Sequence, residues 1–299
     1  MQKGLIIKNV TNTYYIKSEK KIYECVARGK FKQEEITPIV GDNVEIEIIN
    51  EEKKQAVIEK IIARKNFSRR PRVANLTAVI CVVATKLPKP DLLMLDKQLA
   101  FAEYLDIEPI IVVNKKDLDE KMAAEIKEEY SKIGYEVIIT NALSGEGIKK
   151  IINKLDNIGE KNQIIALSGN SGVGKSSIIN SILNKQETIA GEISFKNKRG
   201  KNTTTITTLY ELEENVYLVD TPGFSTFDIT EIESKDLDKY FIEFREFITE
   251  CEYQGCSHVK EQNCEVKKAV EKGKITKERY KRYLKIYENL KYKEEHKKW

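Results

Sequence analysis

The sequence lacks any apolar run long enough to cross a bilayer. AVICVVA, beginning at Ala78, is among the longest, and it has the length of a strand rather than the roughly 20 residues of a spanning helix. The N-terminus, MQKGLIIKNV, has neither the apolar core nor the cleavage site of a secretory signal, so the cytoplasm is the expected location and no membrane partner is expected. Histidine is scarce, with 2 residues in 299, and cysteine is limited to 5. An odd number of cysteines without an export signal argues against a disulfide framework. Neither sign of charge dominates, since the formal net charge is +4, and a chain with 40% hydrophobic and 33% charged residues is not disordered throughout. The length leaves room for two or three domains, one with a sizeable core.

What is present changes character twice along the chain. Up to about residue 66, the stretches TYYI, KIYECVARGKF and GDNVEIEII are rich in β-branched and aromatic residues, and VEIEI alternates with period two. Short strands in that length suit a small closed barrel; an oligonucleotide-binding (OB-like) barrel is one candidate, and an SH3-like barrel or a plain sandwich are others. From Ala74 onward, near-continuous apolar runs (LTAVICVVA, IEPIIVVN, YEVIIT, QIIALSG, VYLVDTPG) alternate with helical segments such as Asp96–Tyr104 and Lys121–Ile133. Strands buried on both faces and joined by helices indicate a largely parallel α/β sheet. Beyond about Ile229 the strand pattern stops, and the remainder is charged, helix-forming and interrupted by a cysteine cluster. The expected division is a β-barrel over 1–68, an α/β domain over 69–230 and a small helical domain over 231–299.

The modest net charge is unevenly placed. KIIARKNFSRRPR, from Lys60 to Arg72, holds 6 basic residues and no acid, and Lys267 to the C-terminus holds 13 basic residues against 5 acidic, with tyrosines interspersed. Charge runs are commonly solvated faces, but two basic zones flanking a neutral middle fit a large polyanion better than a small substrate.

Gly169-Asn170-Ser171-Gly172-Val173-Gly174-Lys175-Ser176 matches G-x-x-x-x-G-K-[ST] and lies between the strand IIALS and the helix SSIINSIL, which also contains Ser177. Glycines there let backbone N–H groups wrap phosphates, and the helix N-terminus adds its dipole. Lys175 would reach the β- and γ-phosphates and the Ser176 hydroxyl would ligate Mg²⁺. Asp220-Thr221-Pro222-Gly223 ends the strand VYLVD, placing Asp220 to hold the Mg²⁺ hydration shell and the Gly223 N–H to sense the γ-phosphate. Asn114-Lys115-Lys116-Asp117 ends another buried strand. A carboxylate there accepts from guanine N1–H and the 2-amino group, donors that adenine lacks, so Asp117 selects GTP over ATP. NKKD alone means little in a lysine-rich chain; its weight comes from the other two loops.

These loops come in an unusual order, with the base-reading loop before the phosphate loop. Ligands of an open parallel sheet bind beyond the carboxyl ends of its strands, so the site depends on which strands are neighbours rather than on which is translated first. GEKNQ, from Gly159, looks like the joint of a circular permutation. The new chain break falls just beyond DTPG, so GFSTFDI leads straight into the cysteine segment. Motion near Gly223 that depends on the γ-phosphate would be passed directly to it.

That segment reads Cys251-x4-Cys256-x-His258-x5-Cys264. Three thiols and one imidazole suit a closed tetrahedral structural zinc site; because the compact spacing is unlike the usual CxxC pairs, incidental cysteines stand as the alternative. Cys25 and Cys81 stand alone in apolar stretches and read as core thiols, and His296 as a solvent-facing residue of the basic tail.

The ordered set NKKD, NALSGEG, GNSGVGKS, GKNTTT and DTPGF, between a barrel and a cysteine cluster, resembles the circularly permuted, ribosome small-subunit-dependent GTPases (the RsgA family, also called YjeQ or YloQ) over the whole chain. The resemblance implies an OB-like barrel that binds RNA, a permuted GTPase domain and a helical domain with one structural Zn²⁺. It also implies hydrolysis of GTP to GDP during late maturation of the small ribosomal subunit, with Mg²⁺, with that subunit and its rRNA as partner, and with a monomer off the ribosome. An RNA-binding assembly scaffold ordered by GTP, or an unrelated P-loop ATPase, are the rival readings. NALSGEG takes the place of the second guanine loop, making Asn141 and Ala142 base contacts, although Asn-Ala-Leu replaces the more usual Ser-Ala-Lys. GKNTTT has Asn202 where the family often has histidine. Among its threonines, Thr204, with Thr203 next, is expected to reach Mg²⁺ in the GTP state; their plain reading is as exposed residues starting the strand ITTLYEL. The expected catalytic set is Lys175, Ser176, Thr204 and Gly223. Phe224 stands where Ras-like GTPases carry a water-positioning glutamine, so slow intrinsic hydrolysis, stimulated by the partner, is expected. Gly172 occupies the place of the asparagine of potassium-dependent GTPases, so no K⁺ requirement is inferred.

Overall fold

A computed structural model describes residues 1–29, 31, 36–159, 162–190, 207–220, 229 and 231–296. The segments carrying GKNTTT (with Asn202, Thr203 and Thr204) and Thr221 to Phe224 (with Gly223) lie outside the described residues. The chain divides into two compact units, Met1–Val79 with Ile152–Leu167 and Ile182–Ser225, and Ile80–Ile151 with Ser168–Ser181 and Thr226–Trp299.

In the first unit, β1 (Gln2–Val10), β2 (Thr13–Ser18), β3 (Lys21–Ala27), β4 (Asn43–Asn50) and β5 (Gln55–Ile61) form the expected barrel. β1 pairs antiparallel with both β2 and β4, while β3 runs parallel to β5 from Glu24↔Gln55 to Ala27↔Ile58. A parallel pair cannot arise in a simple meander, and with β1 closing onto β4 it gives the OB-like five-strand arrangement. Alternation supplies the core: Tyr14 and Ile16 of β2, Tyr23 and Cys25 of β3, and Val44 and Ile46 of β4 point inward. Burial pushes the Cys25 thiol up to about 12, so it is an inert apolar filler. A short hairpin, β6 (Phe67–Arg69) with β7 (Arg72–Ala74), begins within the basic segment and runs just past its end. Arg64 of that segment is committed elsewhere, its Nε and Nη2 donating at 2.6 and 2.8 Å to the two oxygens of the buried Asp42. β8 (Ala78–Ala84) begins here and carries the chain into the second unit. β11 (Gln163–Ser168) runs parallel to β13 (Val216–Asp220), which pairs antiparallel with β12 (Thr208–Glu213), and Lys8 of β1 is opposite Thr208 of β12. The barrel and the β12–β13 pair thus belong to one sheet, while β6 and β7 form a separate two-stranded one.

In the second unit, β9 (Glu108–Asn114) and β10 (Glu136–Ile139) are parallel, and the strand order is β10-β9-β8. All of β8 and all but the first residue of β9 are buried, as strands covered on both faces require. Helix α1 (Leu92–Leu105) starts earlier than its apolar pattern indicates, because Asp91 caps it by accepting from the Met94 N–H at 2.9 Å. α2 (Glu120–Ile133) is capped in the same way by Asp119 and ends at Gly134 in the left-handed region. α3 (Ile148–Asp156) leaves this unit, and α4 (Lys175–Ala190) follows the glycine loop. Beyond Ile229 no strand occurs among the described residues. Short 3-10 turns (Ser234–Tyr240, Ile242–Phe244) and α5 (Arg245–Ile248) precede the cysteine cluster, which is followed by α6 (Glu265–Glu271) and α7 (Lys277–Glu295). No helix among the described residues is long and apolar enough to cross a membrane.

α7 is fastened to α1 by buried charge. Asp96 of α1, fully buried, forms an ion pair with Arg279 of α7 and accepts from Arg282 of α7 and from the Tyr130 hydroxyl of α2. Arg279 also donates to Glu243 at 2.6 Å and Arg282 to Glu129 at 2.6 Å. Two arginines of the basic C-terminal stretch are therefore turned inward. Removing one member of such a network strands a desolvated charge. Asp96→Ala should lower stability by about 3–5 kcal/mol, whereas Lys281→Ala on the exposed side should change it by less than about 0.5 kcal/mol; urea unfolding of the two variants compares them.

Candidate nucleotide site and metal centre

β11 ends at Ser168 and α4 begins at Lys175, so Gly169 to Gly174 form the strand-to-helix loop that the motif requires, with Ser176 and Ser177 in the first helical turn. The Lys175 ammonium folds over its own loop, donating to the carbonyls of Gly169 at 2.6 Å and Asn170 at 2.9 Å. Burial pushes its pKa below the ordinary lysine value. Ser171 and Ser176 are exposed and Val173 is buried.

The loop is mounted on α1. The Asn170 amide donates to Asp91 at 3.0 Å, and the Gln98 amide donates to the buried Ser168 hydroxyl at 2.7 Å. Neither Asp91 nor Gln98 belongs to a recognisable motif; they became legible only once the helix was seen beside the loop.

Asn114, at the end of β9, joins three loops. Its Nδ2 donates to the Val173 carbonyl at 2.9 Å, and its Oδ1 accepts from the Ala142 N–H at 3.0 Å and the Thr140 hydroxyl at 3.1 Å. The side chain is 2% exposed and spends its hydrogen bonds on protein, so it orders the loops. Lys115 adopts a left-handed conformation, its carbonyl accepts from the Thr85 hydroxyl, and its ammonium donates to the Leu87 carbonyl. Lys116 pairs with Glu146 of the 141–147 loop at 2.7 Å. Asp117 lies in a short 3-10 turn, exposed, and accepts from no described residue. Asn141 closes its own loop, its Oδ1 accepting from the Leu143 N–H at 3.1 Å, and the Ala142 carbonyl accepts from Ser181 of α4 at 2.7 Å. The structure thus brings Asn114 to Asp117, Asn141, Ala142 and Gly169 to Ser177 into one set of connected loops. Asp220 ends β13 as expected, in the other unit.

The second cluster is formed by Cys251, Cys256, His258 and Cys264, whose candidate ligand atoms all lie within 4.8 Å of one another. A tetrahedral ion with bonds of about 2.3 Å holds sulfur ligands about 3.8 Å apart, so the set fits one zinc ion. The His258 ring decides which nitrogen would face it. Nδ1 lies 3.7 Å from Cys251 Sγ and 3.3 Å from Cys264 Sγ, while Nε2 is 3.2 Å from Asp238, where its N–H donates. A carboxylate behind a ligating imidazole fixes its tautomer. The thiols of Cys256 and Cys264 are buried, as a closed structural site requires, and no disulfide joins any of the three.

Against this geometry, a family model for the RsgA GTPase domain matches residues 58–230, and one for the RsgA N-terminal domain matches residues 3–58. The chain belongs to the RsgA family. Among its relatives are proteins named small ribosomal subunit biogenesis GTPase RsgA. That of Ruminiclostridium cellulolyticum is 40% identical over 293 residues, covering 97% of this chain and 94% of the relative. That of Clostridium botulinum strain Eklund 17B is 43% identical over 290 residues, covering 96% and 97%. Solved structures agree: YjeQ from Thermotoga maritima superposes with a TM-score of 0.82 at 34% identity over 97% of this chain and 98% of its own. YloQ, described as a circularly permuted GTPase, superposes at 0.79 and 30% over 100% and 97%. The permuted RsgA order is therefore the order of this chain.

Two loop glycines test how tightly the RsgA phosphate loop is set. A β-carbon on Gly169, at φ +140°, would lie 2.2 Å from the Val82 carbonyl oxygen, whereas one on Gly172, at φ +79°, would meet nothing nearer than Pro88 Cδ at 3.8 Å. Gly172→Ala should cost about 1–2 kcal/mol, the conformational penalty alone, and Gly169→Ala distinctly more, as read by chemical denaturation.

Proposed function

We propose that this chain is a GTPase that acts in biogenesis of the small ribosomal subunit, hydrolysing GTP to GDP and phosphate. The observation that carries the reading is the Asn114 side chain, which ties the phosphate loop and both base-side loops together. Belonging to the RsgA family supports the same activity, and the relatives' names supply the ribosomal setting.

In this reading the backbone from Gly169 to Ser177 cradles the phosphates, with Lys175 released from the Gly169 and Asn170 carbonyls to reach the β- and γ-phosphates. Bound Mg²⁺ would neutralise charge that builds on those oxygens. Ser176 and Thr204, with Thr203 as neighbour, would ligate it, and Asp220 would hold its water shell. The Gly223 N–H senses the γ-phosphate. Asp117 accepts from guanine N1–H and the 2-amino group, flanked by Lys115 and Lys116, and Asn141 and Ala142 close the other edge of the base. One structural Zn²⁺ sits on Cys251, Cys256, His258 and Cys264. Three domains, 1–68, 69–230 and 231–299, divide the work, with the first and last gripping RNA in the cytoplasm.

Water attacks the γ-phosphorus in line. With Phe224 at the usual glutamine position, the bound subunit completes the orientation of that water. GTP turnover titrated with purified small subunits should rise at least tenfold and should vanish in Ser176→Ala; turnover indifferent to subunits would favour a scaffold that GTP merely orders. Asp117→Ala should reduce the preference for GTP over ATP by about two orders of magnitude, since the lost acceptor leaves guanine's donors unpaired; competition binding with the two nucleotides measures it.

A further inference from the structure

The turn that carries His258 is built by a residue outside the ligand set. His258 is a non-glycine residue at φ +60°, a conformation a histidine adopts at a cost. Glu261 holds it there. Its Oε1 accepts from the Ser257 N–H at 2.8 Å and the Ser257 hydroxyl at 2.7 Å, and its Oε2 accepts from the Val259 N–H at 3.0 Å and the Lys260 N–H at 3.1 Å. One carboxylate thus collects every N–H of the turn on either side of the ligand. The carbonyls of the same turn are held from the opposite side by α7, where the Tyr280 hydroxyl donates to the His258 carbonyl at 2.6 Å and the Tyr283 hydroxyl to the Ser257 carbonyl at 2.9 Å.

We infer that Glu261 is the positioning residue of the metal centre, fixing the 257–260 turn so that the imidazole of His258 and the thiol of Cys256 are presented to the ion in a preset geometry. The inference rests on the reading that the cluster holds zinc. Charge is part of the device, because four donors converge on two oxygens. A neutral amide in the same place offers one acceptor oxygen and one NH₂ group, and the NH₂ would face donors. Glutamine therefore serves half of the turn, and alanine serves none. Groups that orient ligands from behind contribute about 10- to 100-fold to metal affinity.

The test uses the full zinc-loaded chain and a colorimetric chelator as competitor. Glu261→Gln should bind zinc about 10- to 100-fold more weakly than the parent, and Ser257→Ala, which removes only the hydroxyl donor, should lose less. In the Co²⁺-substituted proteins the visible d–d bands of Glu261→Gln should shift and broaden as His258 loses its fixed angle, a change that a general loss of stability does not produce. If Glu261→Ala fails to fold, the glutamine and Ser257 variants still decide. Parent protein with one zinc per chain, together with a glutamine variant within twofold in affinity and unchanged in its cobalt spectrum, would overturn the inference while leaving the zinc reading intact. A parent chain that retains no zinc would overturn both.

Discussion

The Asn114 amide is the constraint on which the nucleotide side of the molecule depends. A planar group with two donors and one acceptor oxygen, fully buried, is satisfied by the phosphate loop on one side and by Thr140 and Ala142 on the other. Those partners come from two other stretches of chain, Val173 from one and Thr140 with Ala142 from the other, and none is adjacent to Asn114 in sequence. A hydrogen bond of this kind fixes relative position without reference to chain direction or order. That is why a permuted chain loses nothing: joining the old ends and opening a new break leaves the partners of Asn114 where they were. Leaving any of them unpaired in the interior would cost more than the bond itself contributes, so the three loops are held as a set.

Helix α1 extends the same logic toward the metal centre. Asp91 at its start is both its cap and the partner of Asn170, Gln98 two turns on reaches Ser168, and Asp96 between them takes the guanidinium groups of α7. A single helix therefore carries the phosphate loop at one place and the C-terminal helix at another. α7 in turn pins the His258 turn through Tyr280 and Tyr283. The sequence order alone points to the stretch after DTPG as the connection between nucleotide and cysteine segment. The structure adds a second connection, through side chains buried in one compact unit.

The parts legible in the sequence are those whose chemistry is local. The glycine loop, NKKD and the spacing of Cys251, Cys256, His258 and Cys264 each put their functional groups within one short stretch, and the strands β8, β9 and β11 declare themselves by uninterrupted apolar residues. Strand pattern alone left the barrel open between OB-like, SH3-like and sandwich, and the family resemblance pointed to OB-like; the deciding feature, the parallel pairing of β3 with β5, spans some thirty residues of sequence. The start of α1 was missed for a related reason. The expected helix began at Asp96, and it is the bond from the Met94 N–H to the Asp91 carboxylate that sets the start further back. Glu261, Asp238 and Gln98 were invisible because an acid or an amide in a polar stretch has no periodicity; their roles exist only through partners brought from elsewhere. Thr203, Thr204 and Gly223 lie outside the described residues.

Counting charge in the C-terminal stretch also overstates what it offers to a polyanion. α7 is two-sided: Arg279, Tyr283, Ile286 and Leu290 are buried, while Lys277, Lys281 and Lys285, spaced one turn apart, are exposed. The division between arginine and lysine follows from their chemistry. A guanidinium fork satisfies two carboxylates at once, which is what Asp96 with Glu243 and Asp96 with Glu129 demand in the interior, and an ammonium in Arg279's place would leave one of them short. A lysine ammonium is a compact, hydrated charge on a flexible stem, suited to phosphates whose positions vary along a backbone and carrying no base-specific information. In the 60–72 segment Arg64 is likewise bound to Asp42, whereas Arg69, Arg70 and Arg72 are exposed. What α7 turns toward solvent is thus a lysine stripe, which fits contact with nucleic-acid backbone through charge and shape rather than base identity.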